Sequence, residues 1–201
     1  MEREEIVRLV ASAKVGDEYA FGKLYTQYIT PIYRFVFFQV HHREDAEDLT
    51  QTVFLRAFQA IPEFEDRGLL FSTWLYTIAR NLIIDHRKKK RDVIVDDPER
   101  LFDAIIDEKA SASHGAEDAE RAVLVERALR ELSEDQREVI ILHFMEEMSH
   151  PEVAQVTGKT EEAVRALKYR AMKTLRDAID GERDVASEVQ SDTEDRAAIE
   201  Q

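Results

Sequence analysis

Apolar positions along this chain recur at helical rather than strand spacing, and they divide it into a series of amphipathic stretches. Residues 4–13 carry Ile6, Val7, Leu9 and Val10. Gly16 breaks that pattern, and Asp17 stands where an N-cap side chain accepts a free backbone N–H. The second stretch places Phe21, Leu24, Tyr25 and Tyr28 on one face. Pro31 is expected to end or bend it, after which Ile32, Phe35 and Val36 carry the stripe toward Val40. A third helix is predicted over 45–60, with Ala46, Leu49, Val53 and Ala57 inward and Phe54 and Phe58 beside them. Asp48, Gln51, Thr52 and Arg56 fall on its opposite side, and Pro62 stops it. The fourth helix, over 72–91, has the strongest pattern. Phe71, Trp74, Leu75, Ile78, Ala79, Leu82 and Ile83 form its inner stripe, and Ser72 is its expected N-cap. Thr73, Tyr76, Thr77, Arg80 and Asn81 make the opposite face, which reads as wet and rich in donors.

The periodicity lapses over 92–118, an acidic stretch with Pro98 and a small polar run at 110–115. It reads as a mostly extended linker, in which Leu101, Phe102, Ile105 and Ile106 suffice for one helical turn. Helical spacing returns from 119 with Val123, Leu124, Ala128, Leu129 and Leu132. Ser133 and Gln136 have the spacing of a capping box, and the helix behind them is expected to turn Val139, Ile140, Phe144 and His143 inward. Ser149 caps a short helix whose first turn tolerates Pro151. Ala154, Gly158 and Val164 then have the spacing of a helix-turn-helix: a small residue at the crossing, glycine in the turn, an aliphatic anchor on the second helix. Thr160 caps that second helix. Residues 179–201 are acidic, lack a stripe and read as a disordered tail.

Charge changes this picture. The formal total is −14, which argues against a general nucleic-acid binder, yet residues 1–91 sum to +1 and 119–178 to −2. The negative charge sits in 92–118, at −7, and 179–201, at −6. Against that background the five consecutive cations Arg87–Arg91 stand out, as do six cations against two acids over 159–176. A basic outer face on the second helix of a helix-turn-helix suits a recognition helix in a major groove. No cysteine is present, so disulfides and thiolate sites are excluded. No run of about 18 apolar residues and no signal peptide occur, so a cytoplasmic chain without membrane insertion is expected. His41 and His42, beside Glu44 and Asp45, are neighbours that point to different sides of a helix and make a poor chelate. His86, His143 and His150 read as scattered, ordinary positions, so neither metal nor cofactor is expected. No two-histidine-plus-acid motif, glycine-rich phosphate loop or nucleophile–base pair suggests an enzyme.

Three blocks, in this order, resemble the bacterial RNA polymerase sigma factors of the sigma-70 family, in the extracytoplasmic-function group that keeps only the second and fourth regions. They are AspAlaGluAspLeuThrGln at 45–51, PheSerThrTrpLeuTyrThrIleAlaArgAsn at 71–81 and LeuSerGluAspGlnArgGluValIle at 132–140, and the resemblance covers about 5–178. It implies an all-α chain of two small helical domains. These are a region 2 bundle over 1–92 and a region 4 helix-turn-helix over 119–178, joined by the acidic linker 93–118 and followed by the tail 179–201. It implies docking on the β and β′ subunits of core RNA polymerase through Asp48, Gln51 and Thr52, supported by Leu49 and Phe54. Thr52 departs from the family, which usually has an acid there. The promoter −10 element falls to Arg67, Gly68, Phe71, Arg80, Asn81, Arg87, Lys88, Lys89, Lys90 and Arg91. The loop 64–70 would hold a flipped base. Where primary sigma factors carry a tryptophan wedge, this chain has Thr77 and Ile78, which implies weaker melting, while Trp74 reads as core. The −35 element falls to Thr160, Glu161, Glu162, Arg165, Ala166, Lys168, Tyr169, Arg170 and Lys173. Promoter DNA and an anti-sigma factor are the other implied partners, and the acidic linker would mimic nucleic acid inside the polymerase. The rival reading, a stand-alone helix-turn-helix regulator, gives no role to 45–52 or to the helix over 72–91.

Overall fold

In the computed structural model, which describes residues 1–65, 70–93, 125 and 127–178, all regular structure among the described residues is helical. Helix α1 spans Arg3–Lys14, and Gly16, at φ 93°, turns the chain where a side chain would strain it. Asp17 caps α2, Glu18–Val40, accepting from Ala20 N at 3.1 Å. Pro31 does not end α2. The proline removes one intrahelical bond, but Leu24 before it and Ile32, Phe35 and Val36 after it are all at most 1% exposed, and their packing carries the helix through. His41, at φ 54°, and His42, whose ring accepts from Asp45 N, make the corner into α3, Arg43–Ala60. A 3₁₀ turn at Ile61–Glu63 uses Pro62 to stop α3, as expected. Helix α4 then runs Phe71–Val93.

Two expectations for α4 need correction. Its first intrahelical bond is Trp74 N to Leu70 O, so Leu70 rather than Ser72 occupies the cap position. Its predicted wet face is partly dry: Thr73 is fully buried and Tyr76 nearly so. The inner stripe holds for Leu75, Ala79, Leu82 and Ile83, which meet Val53 and Ala57 of α3 and Phe35 of α2 in one core. Each large apolar side chain buried there contributes about 1.5–3 kcal/mol. Trp74 is half-buried and packs on Phe64 and Phe71, with centroids 4.9 and 5.5 Å away.

The second unit starts with a helical turn at 127–130, from which Leu129 enters its core with Leu132. Ser133 and Gln136 form the predicted capping box on α5, Glu134–Ile140. A π-helical turn, Ile141–Met145, follows directly. That wider turn accommodates an extra residue and rotates the positions after it. Ile141 and Leu142 therefore face the core, whereas Phe144, predicted inward, is 53% exposed. Helix α6, His150–Thr157, has a second capping box: Glu152 reaches back to accept from Ser149 N at 2.7 Å. Gly158, at φ 66°, makes the turn, Thr160 accepts from Ala163 N, and α7 runs over 161–178 with Val164 fully buried against the first helix. His143 and His150 are not scattered; their rings stack at 4.7 Å. The linker after Val93, most of the expected helix from 119 and the tail lie outside the described residues.

Candidate polymerase and nucleic-acid interfaces

The outer face of α3 carries Asp48 and Gln51 exposed and Thr52 partly so, while Val53 and Ala57 hold the inner face fully buried. Leu49 is half-buried, and Phe54 lies inside, against Tyr25 at 4.7 Å, so it shapes the face from beneath. Sequence reasoning missed Leu55 and placed Phe58 beside the inner stripe. They are 57% and 45% exposed and continue the Asp48–Thr52 face by one and two turns. The i, i+3, i+4, i+7 projection from Asp48 was the available signal. A strip of acid, amide and uncovered apolar groups suits a protein partner better than a phosphate backbone.

The basic end of α4 does not project freely. Arg87 donates through Nη2 to Gln39 O and Oε1, at 2.9 and 2.6 Å, and through Nη1 to Glu134 Oε2 at 2.9 Å. Lys90 pairs with Asp45 at 2.6 Å. Burial pushes the Asp45 carboxyl upward, but the Lys90 hydrogen bond and charge, with His86 and His42, outweigh it and hold it below its ordinary value. Lys88, Lys89 and Asn81 are exposed. Arg80 Nε lies 2.9 Å from Glu138 Oε1, off the axis of its N–H, so the pair is Coulombic rather than a directed hydrogen bond. Glu138 is 8% exposed, and burial raises its carboxyl above the ordinary range despite the opposing Arg80 charge. Phe71 is 6% exposed in a cluster with Phe64, Trp74 and Tyr28, inside the unit rather than on its surface. Arg67, Gly68 and the Arg91 side chain lie outside the described residues.

These contacts show why part of the predicted wet face, at Thr73 and Tyr76, is dry: α6 lies along α4, and the elbow that follows the π turn enters beside Tyr76. Glu146, with a side chain only 6% exposed, accepts from Arg34 Nη2 at 2.6 Å and from the Tyr76 hydroxyl. Arg34 also donates to Met145 O at 3.2 Å. Burial first, and then the Glu146 charge, push the Tyr76 phenol far above its ordinary value. No local pattern in the sequence announces this network.

Helix α7 presents Glu162, Arg165, Ala166, Tyr169, Arg170 and Lys173 exposed, with Tyr169 at 74%. Val164, Leu167 and Ala171 hold the opposite side buried. Glu161 takes Arg165 at 2.9 Å, and the Glu162 backbone N–H, with the Thr160 hydroxyl, holds the Glu162 carboxyl below its usual value. Lys168 is half-buried, its Nζ 3.4 Å from His143 Nε2; His143 Nδ1 donates to Met148 O at 2.7 Å. The first turns thus offer Arg, Lys, Tyr and Glu together on one open face, the donor and acceptor set that base edges and phosphates require. No described helix is long and apolar enough to cross a membrane.

Comparison with known proteins agrees with this geometry. Residues 24–93 match Sigma-70 region 2, and residues 122–175 match Sigma-70, region 4. The chain is 39% identical over 170 residues to the ECF RNA polymerase sigma factor BldN of Streptomyces coelicolor, covering 85% of this chain and 64% of that longer one. It is 31% identical over 189 residues to the ECF RNA polymerase sigma factor SigD of Mycobacterium tuberculosis, covering 89% and 86%. Among solved structures, CnrH in complex with the cytosolic domain of CnrY aligns with a TM-score of 0.64 at 27% identity, over 90% of this chain and 99% of that one. A helix-turn-helix regulator alone would leave the match over 24–93 without a counterpart. The chain belongs to the sigma-70 family of RNA polymerase sigma factors, in its extracytoplasmic-function group.

Proposed function

We propose that the chain docks on the β and β′ subunits of core RNA polymerase and directs it to promoters by reading a −10 and a −35 element. The observation that carries this is the pair of matches to sigma regions 2 and 4, in order, one on each helical unit. In this reading 1–92 is the docking and −10 domain, 93–118 the linker, 119–178 the −35 domain and 179–201 a tail. Asp48, Gln51 and Thr52 contact polymerase, on a face whose exposed Leu55 and Phe58 supply apolar area. Arg80, Asn81 and the cations Arg87–Arg91 hold the upstream −10 duplex. The loop 64–70, with Arg67 and Gly68, holds a flipped base, and Phe71 supports that loop from the core. Unstacking a base costs a few kcal/mol, so shape and backbone contacts must offset it where Thr77 and Ile78 supply no aromatic wedge. Residues of α7 from Thr160 to Lys173 read the −35 groove. The work is binding, in the cytoplasm, without a cofactor or catalytic group. An anti-sigma factor is a further expected partner; the CnrH relative was solved with the cytosolic domain of CnrY. Runoff transcription with core polymerase on a promoter library tests the reading. Transcripts above core alone are expected, and their absence from every promoter would overturn it.

A further inference from the structure

Beside the open face of α7, three segments bring basic side chains together: His143 from the π turn, His150 from the start of α6 and Lys168 from α7 itself. The two imidazoles stack at 4.7 Å with 22° between their planes, and Phe144 closes edge-on against His143 at 4.8 Å. His143 Nδ1 lies 2.7 Å from Met148 O, which can only accept, so Nδ1 carries the proton. In the neutral ring Nε2 then holds a lone pair, and it faces Lys168 Nζ at 3.4 Å. Lys168 is half-buried at this contact, whereas Arg165 and Tyr169 beside it are exposed. The charges that face the stacked pair from α7 are Lys168 and Arg165, both cationic, and Glu161, whose carboxylate Arg165 already holds at 2.9 Å. Glu152 and Glu146, close in the chain, are engaged elsewhere: Glu152 accepts from Ser149, and Glu146 from Arg34 and Tyr76. Burial first, and then Lys168, His143 and Arg165, lower the His150 pKa.

Imidazole is the side chain that changes charge between about pH 5 and 8. With Nδ1 committed to Met148 O, a second proton on His143 must enter at Nε2. It turns the acceptor of the Lys168 ammonium into another cationic donor 3.4 Å away. The two donors then repel, and an anion that accepts from both relieves the repulsion. Duplex DNA supplies that anion as phosphate along the groove that α7 is proposed to enter, so this inference rests on that reading. We propose that His143 positions Lys168, and that the two together bind a backbone phosphate with uptake of one proton at His143 Nε2. In the free protein the neutral ring holds Lys168 back. On the duplex, Nε2 and Nζ both donate to phosphate oxygens, the added proton coming from solvent. His150, stacked on the ring, restrains its rotation and keeps Nε2 aimed at Lys168. Phosphates are alike in every sequence, so the proton strengthens binding to any duplex and leaves the preferred −35 sequence unchanged.

The test is binding of the full chain to a short random-sequence duplex, followed by fluorescence anisotropy at fixed ionic strength from about pH 7.5 down to about pH 6. One linked proton gives at most about tenfold per pH unit, so a gain in affinity of about threefold to tenfold is expected across that range. The log–log salt slope should steepen by about 1 over the same change. His143→Gln keeps an acceptor toward Lys168 but takes up no proton, and it should lose both effects. Calorimetry on the unsubstituted chain, in two buffers of different ionisation enthalpy, reads the proton directly and needs no variant to fold. Equal pH profiles for the parent and His143→Gln, or duplex binding without proton uptake, overturn the coupling. If Arg165→Ala still weakens duplex binding in that case, the placement of α7 on DNA survives the loss of this inference. If neither Arg165→Ala nor His143→Gln alters binding at any pH, the placement of α7 falls with it.

Discussion

Arg137 gives the sharpest test of how the second unit is held. It is 9% exposed, and its guanidinium donates to Leu129 O at 2.8 Å and Leu132 O at 3.1 Å, with a longer contact to Arg130 O at 3.4 Å. These carbonyls lie at and just past the end of the helical turn at 127–130, where intrahelical donors run out; Leu129 O also accepts from Leu132 N at 3.3 Å, and α5 supplies the further donor from one turn inside itself. Burial, and then the nearby Arg87 charge, lower the Arg137 pKa, yet no carboxylate closes on the guanidinium at bonding distance among the contacts described. Arg137→Ala removes two well-directed charge-assisted bonds, each about 1.5–3 kcal/mol, so a loss of about 3–6 kcal/mol is expected. Total stability of a domain is about 5–15 kcal/mol, so the second unit would be left marginal. Urea unfolding of the full chain followed by circular dichroism should resolve an early transition. Its thermal midpoint should fall by more than about 12 °C for a unit of this size. Arg137→Lys, one point donor in place of a planar fork, should recover less than half of the loss. A loss below about 1 kcal/mol for the alanine variant would refute the argument, because it would mean that water satisfies those carbonyls as well as the arginine does.

Other expectations concern separate links. Gly158→Ala meets nothing within 4 Å, so its cost is the left-handed φ alone, about 1–2 kcal/mol; a neutral effect on the unfolding midpoint would show that the turn relaxes. His41 is held to about 4 by burial, then by the charges of Arg137, Arg130 and Arg87, so the unfolded chain binds a proton that the folded one refuses. Its contribution is complete above about pH 6.5 and declines as pH falls toward 4. His41→Asn, which tolerates the φ of 54°, should flatten that decline between pH 7 and 5 in thermal melts. Asp48→Arg, on an exposed side chain, should leave the melting curve within about 0.5 kcal/mol of the parent while abolishing capture by core polymerase. Retained capture would remove Asp48 from the docking face. Arg165→Ala should weaken −35 binding by about 1–3 kcal/mol if the guanidinium reads a base, and equally on all sequences if it reads only phosphate, a distinction that competition footprinting resolves.

Much of this protein was legible before any tertiary contact was known, because the relevant interactions close within one helical turn. Asp17, Ser133, Thr160 and Gly158 announce helix ends through bonds that span three to five residues, and the structure makes them where they were expected. The stripe Leu75, Ala79, Leu82 and Ile83 is likewise a property of the 3.6-residue period. Pro31, expected to end or bend α2, does not end it, and Phe144, expected inward, is exposed, for a related reason. A proline is an interruption only until packing on both sides outweighs one lost bond, and a π turn shifts a register that periodicity assumes constant. What only the tertiary structure decided is which polar groups of α4 meet water. Tyr76 and Glu146 are 70 residues apart in the chain, Arg34 and Glu146 112, and Arg87 and Glu134 47. An isolated helix carries no record of a partner at that distance, because a cation in water and a cation paired across an interface require the same residue. The basic face of α4 was therefore visible in the sequence, while its occupation by the carboxylates of the second unit followed only from how the two units dock.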